Sequence, residues 1–348
     1  MKPSLQEIAE RAGVSTATVS RALNGRPGVN AETRAHVLRI ARETGYMPNI
    51  AAKGLATSRS FALGCINYTR SPQPISSYHV QIVQGIDQEA RQHGYHVITT
   101  FVDAEMMADV MRLSLIAEQR VDGLVLVGPA LKASFIIQLY NSQLPIVLVD
   151  NLLPETCIDA VVCDNVGGTY RATRHLIDEH NLRRLAFFSG PADWFSSRER
   201  RQGYEQALRE IGQEPLVIYM PDTTVNMGYG AMLEVLDSHP DLEGVVAVND
   251  ATAVGVIRAS KERGRRVPDD LAVVGFDNVT WGPLHDPPLT TVRMFKHETG
   301  IQAARRLIDV IERGATPGFE LRLGTELILR ESCGCRPTSE PTYSDHGS

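Results

Sequence analysis

The chain has 348 residues and a mass of 38.3 kDa, enough for two or three domains around a sizeable core. With 43% hydrophobic and 22% charged residues and no uninterrupted apolar run of membrane-spanning length, it is neither a disordered polymer nor a helical membrane protein by composition. The formal charge of −6 conceals a polarity: residues 1–60 hold nine Lys and Arg against four Glu, a net of +5, which leaves −11 on the remainder. A basic head on an acidic body docks a polyanion by the head alone, because the body repels it.

In chain order, Ser4-Leu-Gln-Glu7 is a capping-box pattern that opens a predicted helix with Ile8, Ala9 and Ala12 on its inner face. A second short helix puts Val19, Ala22 and Leu23 inward. Between them, Gly13 supplies the positive φ of a tight turn, Val14 a plug for the core beneath it, and Ser15 a cap for the second helix. Taken singly, Gly13 reads as an ordinary helix C-cap and Ala9 as a good helix former. Taken together in this register they make a helix-turn-helix, whose second helix is shaped to enter a DNA major groove. A third helix is signalled by Asn30 as cap and by Val37, Leu38, Ile40 and Ala41 on one face. Tyr46-Met-Pro48-Asn49 closes the head: Pro48 ends one element and Asn49 caps a short helix predicted over 50–56.

From Phe61 the periodicity becomes α/β. Apolar runs at 62–66, 95–100, 123–127, 146–149, 160–163, 185–188, 244–248 and 271–274 alternate with amphipathic stretches at 80–93, 167–180, 197–211, 251–263 and 298–313. This rhythm predicts parallel sheets covered by helices on both faces. The strands fall into two groups of about four, with a break near 150–159, and so predict two doubly wound lobes with a cleft at the carboxyl ends of their strands. Polar groups cluster at those ends: Asp150, Ser196 and Arg200 after Ser189-Gly-Pro191, Asn249, and Asp277 after Val274-Gly-Phe276. Acids, amides and one Arg suit a polyhydroxylated small molecule, and Tyr78 and Trp281 offer flat apolar faces for stacking. His79 and His285 are expected to reach the same cleft as polar contacts.

Cys65, Cys157, Cys163, Cys333 and Cys335 are odd in number and scattered, and Met1-Lys-Pro-Ser leads straight into the first helix; the expectation is a cytosolic chain with reduced thiols. Cys333-Gly-Cys335 is too short a spacing, and too far from any His in sequence, for a zinc site, so neither metal nor cofactor is expected. Catalytic signatures such as a phosphate-binding Gly-rich loop, a Gly-x-Ser-x-Gly elbow or His-Glu-x-x-His are missing, which argues against an enzyme. A solute-binding protein would share the two lobes but has no use for a helix-turn-helix. Residues 68–77 form a Pro/Ser-rich loop expected at the cleft mouth, and the polar tail 334–348 is expected to be disordered.

The head and hinge resemble those of the lactose-repressor (LacI/GalR) family of bacterial transcription regulators, and the similarity runs to about Glu331. It is carried by Ile8-Ala9-Glu10, Ala12-Gly13-Val14-Ser15, Thr18-Val19-Ser20-Arg21, Gly45-Tyr46-Met47-Pro48-Asn49 and Ala52-Lys-Gly-Leu55-Ala56. The resemblance implies a helix-turn-helix headpiece over 1–48 and a hinge over 49–60. It implies a periplasmic-binding-protein-like core over 61–333, with a first lobe of about 61–150 and 293–318 and a second of about 160–282 and 325–333. The chain would cross between lobes near 150–164, 282–292 and 318–325. It further implies that double-stranded operator DNA is met by Ser4, Ser15, Thr16, Ala17, Thr18, Ser20, Arg21, Asn24, Asn49, Ala52, Leu55 and Ala56. Arg21 would be the guanine reader and Leu55 an apolar wedge in the minor groove. Gly54 departs from a good hinge helix at a cost of roughly 1 kcal/mol. By the same resemblance Asp150, Arg200, Asn249 and Asp277 line an effector cleft, which Tyr78, Ser196 and Trp281 join on their own chemistry; the chain is expected to be a homodimer, since the tail lacks the Leu heptads of a tetramerising segment. A sugar or sugar derivative and a nucleobase or nucleoside both fit that lining, and an effector that releases DNA would use the same cleft as one that promotes binding.

Overall fold

The computed structural model describes residues 3–23, 25, 27–46, 59–68, 77–314 and 318–335. The predicted hinge helix over 50–56, with Asn49, Ala52, Leu55 and Ala56, lies outside the described residues, as do Asn24, most of the loop 68–77 and the tail from 336. The chain divides into two units, Met1–Phe61 and Ala62–Ser348.

The first unit holds three helices, α1 (Leu5–Ala12), α2 (Thr16–Leu23) and α3 (Ala31–Glu43). Ser4 caps α1 by accepting from Glu7 N at 3.2 Å, and Gly13 ends it at φ 64°. Ser15 accepts from Thr18 N at 3.1 Å and so starts α2, while Asn30 accepts from Thr33 N at 2.7 Å and starts α3. Ile8, Ala9, Val19, Ala22, Val37, Ile40 and Ala41 form the core, with Ala12, Val14 and Leu23 packed at its edge. Leu38, expected on the inner face of α3, is only half-buried and stands outside this cluster, because the 37/40/41 stripe already fills the crossing.

The second unit consists of β1 (Ala62–Tyr68), α4 (Ser77–Gln92), β2 (His96–Val102), α5 (Ser114–Ala117), β3 (Gly123–Val127), α6 (Ala133–Asn141), β4 (Ile146–Val149), β5 (Asp159–Cys163), α7 (Asn165–Asp178), β6 (Leu185–Ser189), α8 (Phe195–Arg209), β7 (Leu216–Tyr219), α9 (Val225–Ser238), β8 (Gly244–Ala247), α10 (Asp250–Glu262), β9 (Ala272–Asp277), β10 (Thr290–Met294), α11 (Lys296–Arg313), β11 (Glu320–Leu323) and β12 (Thr325–Ile328). They build two six-stranded sheets, ordered β11-β5-β4-β3-β1-β2 and β12-β10-β9-β8-β6-β7. All pairings are parallel except that of β12 with β10. The central strands are buried throughout, as Val- and Leu-rich runs covered by helices on both faces must be. In the first lobe α11 packs on α4, with Ala303, Ala304, Leu307 and Ile308 sharing a cluster with Ile82, Ile86 and Ala90.

The first and third crossovers fall at the far ends of the expected ranges 150–164 and 318–325, and the second falls outside its range. Strand β5 belongs to the first sheet, paired with β4 through Val147↔Asp159 and Val149↔Val161; the first crossover therefore comes after Cys163. Parallel neighbours are usually joined through a helix, and here a helix-free loop, 150–158, joins them, which made it look like a break between lobes. Asp159 anchors the strand: its Oδ2 accepts from Arg306 Nε at 2.7 Å and its Oδ1 from Phe319 N at 2.6 Å. Strand β10 stays on the second sheet beside β9, so the second crossover falls at Phe295 rather than within 282–292. The first lobe accordingly recovers α11 and β11, and the third crossover is at Gly324.

Candidate functional site

Two surfaces carry the polar groups singled out in the sequence. On the first unit, the outward face of α2 presents Thr16, Ala17 and Arg21, all exposed, opposite the buried Val19 and Ala22. Ser4 and Ser15 are occupied as helix caps, Thr18 pairs its hydroxyl with Ser15 Oγ at 2.9 Å, and Thr18 and Ser20 are half-buried. Thr16, Ala17 and Arg21 thus form the exposed edge of α2, and Ser4, Ser15 and Thr18 fix the ends of α1 and α2.

In the second unit, the carboxyl ends of both sheets face one cleft of about 640 Å³, within the size range of small-molecule sites. In each sheet the chain order reverses at one strand, β1 between β2 and β3, and β6 between β7 and β8; such switch points open a crevice beyond the strand ends. Tyr78, Asp150, Ser196, Arg200, Asn249, Asp277 and Trp281 all line this cleft. His79 lines it too; His285 does not, its Nδ1 lying 3.2 Å from Pro287 O in the turn before β10.

The second lobe supplies a fixed wall. Arg200, on α8, is buried with its guanidinium 3.7 Å above the centre of the Phe276 ring. Its Nε donates to Asn165 Oδ1 at 2.8 Å, and its Nη1 to Val248 O at 2.6 Å and Asp277 Oδ1 at 3.4 Å. Helix α8 can come close enough to α7 because residue 203 is Gly: a Cβ there would stand 2.2 Å from Val166 O. Asp277 ends β9 at φ 105°; burial raises its pKa, against the pull of Arg200 and Lys296. Lys296 Nζ donates to the carbonyls of Asp277 and Asn278. Asn249 caps α10, accepting from Thr252 N at 2.9 Å and donating to Thr223 O at 3.1 Å. Trp281, 37% exposed, stands at the mouth.

The first lobe supplies Tyr78 and His79 from the start of α4, their rings edge to face at 5.1 Å, and Asp150 from the end of β4. Asp150 is held at φ 55°. Burial pushes its pKa up to about 6, Arg200 opposing and Asp277 reinforcing the shift. Burial lowers His79 to about 4, so its imidazole is neutral at pH 7. Tyr78 Oη and Asp150 Oδ1 are buried without a protein hydrogen-bond partner.

The sequence reading missed Phe101, Trp194 and the Asp222-Thr-Thr224 turn, which also line the cleft. Trp194 could have been found: it is one of only two Trp and directly precedes α8. Asp222 follows β7, a strand the apolar pattern did not reveal. The expected isolation of Cys333-Gly-Cys335 is also overturned: folding closes His175 and His180 onto the two thiols, all four ligand atoms within 4.8 Å of one another. Cys335, placed in the tail by the sequence, packs against the second-lobe core. Among the described residues no helix is long and apolar enough to cross a membrane.

Comparison with known proteins covers both surfaces. The model of bacterial regulatory proteins of the lacI family matches residues 4–49, and that of periplasmic binding proteins and the sugar binding domain of the LacI family matches residues 70–328. The HTH-type transcriptional regulator CelR of Thermobifida fusca is 35% identical over 340 residues, 95% of this chain and 98% of its own. The HTH-type transcriptional repressor CytR of Escherichia coli K12 is 30% identical over 336 residues, 96% and 97% of the two chains. Among solved structures, a CelR–cellobiose complex superposes with a TM-score of 0.73 at 33% identity, covering 95% of this chain and 100% of that one. A lac repressor dimer bound to operator and the anti-inducer ONPF gives a TM-score of 0.78 at 27% identity, covering 96% and 99%.

Proposed function

The chain belongs to the LacI family of bacterial regulatory proteins and is a DNA-binding transcriptional regulator; from that premise we propose that it is a cytosolic, non-enzymatic repressor switched by a sugar bound between its lobes. The observation that carries the sugar is the cleft lining: buried carboxylates and an amide from both sheets, with Tyr78, Trp194 and Trp281 around them. Hydroxyls donate to such carboxylates, and the apolar faces of sugar rings stack on such aromatics. The CelR–cellobiose complex, at 33% identity, points the same way.

In this reading two copies of the chain place two heads on the halves of a pseudo-palindromic operator. Arg21 reads guanine, Thr16 and Ala17 make shorter contacts, and Leu55 wedges the minor groove between paired hinges. Effector in the cleft binds one arrangement of the lobes better than the other and shifts the population toward it. A coupling of about 1–3 kcal/mol suffices.

The test is thermal unfolding of the full-length protein against sugars, sugar phosphates and nucleosides, followed by operator binding with and without the hit. A specific sugar at a hundred times its dissociation constant adds about 2.7 kcal/mol of stability and changes operator affinity. A nucleoside as the only hit replaces the sugar. No hit removes the effector reading and leaves DNA binding untouched.

A further inference from the structure

At the far end of α7 from the cleft, four metal-ligating side chains meet that the regulatory reading does not use. We propose that His175, His180, Cys333 and Cys335 bind one zinc ion tetrahedrally and that this ion fastens the C-terminal end of the core to the second lobe.

The spacing of the donor atoms carries the proposal. His175 and His180 bring their Nε2 atoms to 3.3 Å; Cys335 Sγ lies 3.4 Å from each, and Cys333 Sγ lies 3.7 Å from His175 Nε2. Zinc bonds of about 2.0–2.1 Å to nitrogen and about 2.3 Å to sulfur place tetrahedral ligand atoms roughly 3.3 to 3.8 Å apart. Two imidazoles and two thiolates are a donor set that selects zinc over the hard cations. His175 and His180 have the gap common in His-x-x-x-x-His zinc pairs, whereas Cys-x-Cys is tighter than usual. Gly334 closes that gap: at φ 98° it turns both thiols to one side, and a Cβ at this position would meet His180 Nδ1 and Cε1 at 3.3 Å.

The surroundings are those of a closed, structural site. Cys333 is 1% exposed, the other three ligands are half-buried, and four protein ligands leave no open position for chemistry. Thr290 Oγ1 lies 3.1 Å from Cys333 Sγ, placed to support a thiolate. Binding releases the protons of the two thiols and requires both imidazoles neutral at Nε2. His175 is ten residues along α7 from Asn165, the partner of Arg200, or about 15 Å at the helical rise. The ion therefore braces α7 from the end opposite the effector wall and joins it to a segment more than 150 residues away in the chain.

Untagged full-length protein, reduced, stripped with a chelator and titrated with zinc and separately with cobalt(II), tests this. The expected result is one zinc per chain, the visible absorption of tetrahedral cobalt thiolate, and a melting temperature that rises with zinc. Cys335→Ser and His180→Ala, both at half-buried positions, lose all three, while Cys157→Ser, at an exposed position, keeps them. Substoichiometric zinc in the wild type, equal zinc in the wild type and both ligand variants, or cobalt bound without thiolate absorption would each overturn the proposal. These readouts are independent of sugar and DNA, so they stand or fall apart from the regulatory reading.

Discussion

The two walls of the cleft are built on opposite terms. On the second lobe Arg200 spends its guanidinium on Asn165, Val248 and Asp277, and Asn249 spends its amide on Thr252 and Thr223. These two side chains are preorganised by the protein alone, while Ser197 Oγ beside them is buried without a protein partner. On the first lobe Tyr78 Oη and Asp150 Oδ1 are buried with no protein partner, and each such group costs about 1–3 kcal/mol. A ligand with hydroxyls would supply partners to both groups. The difference teaches where the switch draws its energy: a ligand resting on the second lobe gains most when the first lobe is against it. A conformational shift requires this kind of unequal affinity.

The largest effect should come from breaking the preorganised wall. Arg200→Ala takes from the buried Asp277 carboxylate its hydrogen-bonded cation, leaving only the field of Lys296, and strips Asn165 and Val248 of a donor; removing one member of a buried pair costs about 3–5 kcal/mol. Urea unfolding of the variant should show that loss with or without effector. A loss below about 1 kcal/mol, the value of an exposed ion pair, would mean that Arg200 is held by solvent or ligand and that the two walls are alike.

Breaking the unsatisfied wall should do the reverse to stability. The Asp150 carboxyl, with its pKa raised from 3.8 to about 6, contributes stability that is present below its unfolded pKa and lost as pH rises through about 6. The buried charge costs on the order of 3 kcal/mol at neutral pH. Asp150→Asn removes that cost, so the stability of the variant relative to wild type should grow between pH 4 and pH 7. Effector affinity should move oppositely, falling by about 1.5–3 kcal/mol with the loss of a hydrogen bond to a charged acceptor. In the wild type, affinity should weaken below pH 6, where the proton competes with the ligand's hydroxyl, and calorimetric titration across pH 5 to 7.5 reads both. A variant that matched wild type in stability and in affinity across this range would show that Asp150 is already satisfied.

The residues of both walls were legible because each sits where a recognisable apolar run stops: Asp150 after 146–149, Asn249 after 244–248, Asp277 after 271–274. What escaped did so for physical reasons. Strand β7 is a half-exposed edge, β11 alternates exposed and half-buried residues, and β10 begins Thr-Thr, so none offers the unbroken apolar signal of a central strand. The helix-free join of β4 to β5 mimicked a lobe boundary, and the swap of β11 and β12 between sheets at Gly324 has no periodic signature, so that only the family resemblance placed a crossover near 318–325. The His–Cys cluster was invisible because sequence spacing reports only local geometry, and its two halves meet through the packing of the whole second lobe. In the head, the reading of Gly13, Ser15 and Asn30 needed only local rules, and the caps form as those rules require.

The smallest change sharpens the comparison furthest. Tyr78→Phe deletes one oxygen from the unsatisfied wall and leaves the ring, which packs against the cores of both lobes. Because that hydroxyl has no protein partner, its removal should leave unliganded stability within about 0.5 kcal/mol of wild type or slightly above it. If the effector supplies the missing partner, its affinity should fall by about 0.5–1.5 kcal/mol, the net value of a neutral hydrogen bond. The ratio of operator affinities with and without effector should shrink by the same factor, since the switch is driven by the difference that this bond makes. Equal losses of stability with and without effector would place the Tyr78 hydroxyl among the protein's own hydrogen bonds and transfer its energy from the switch to the fold.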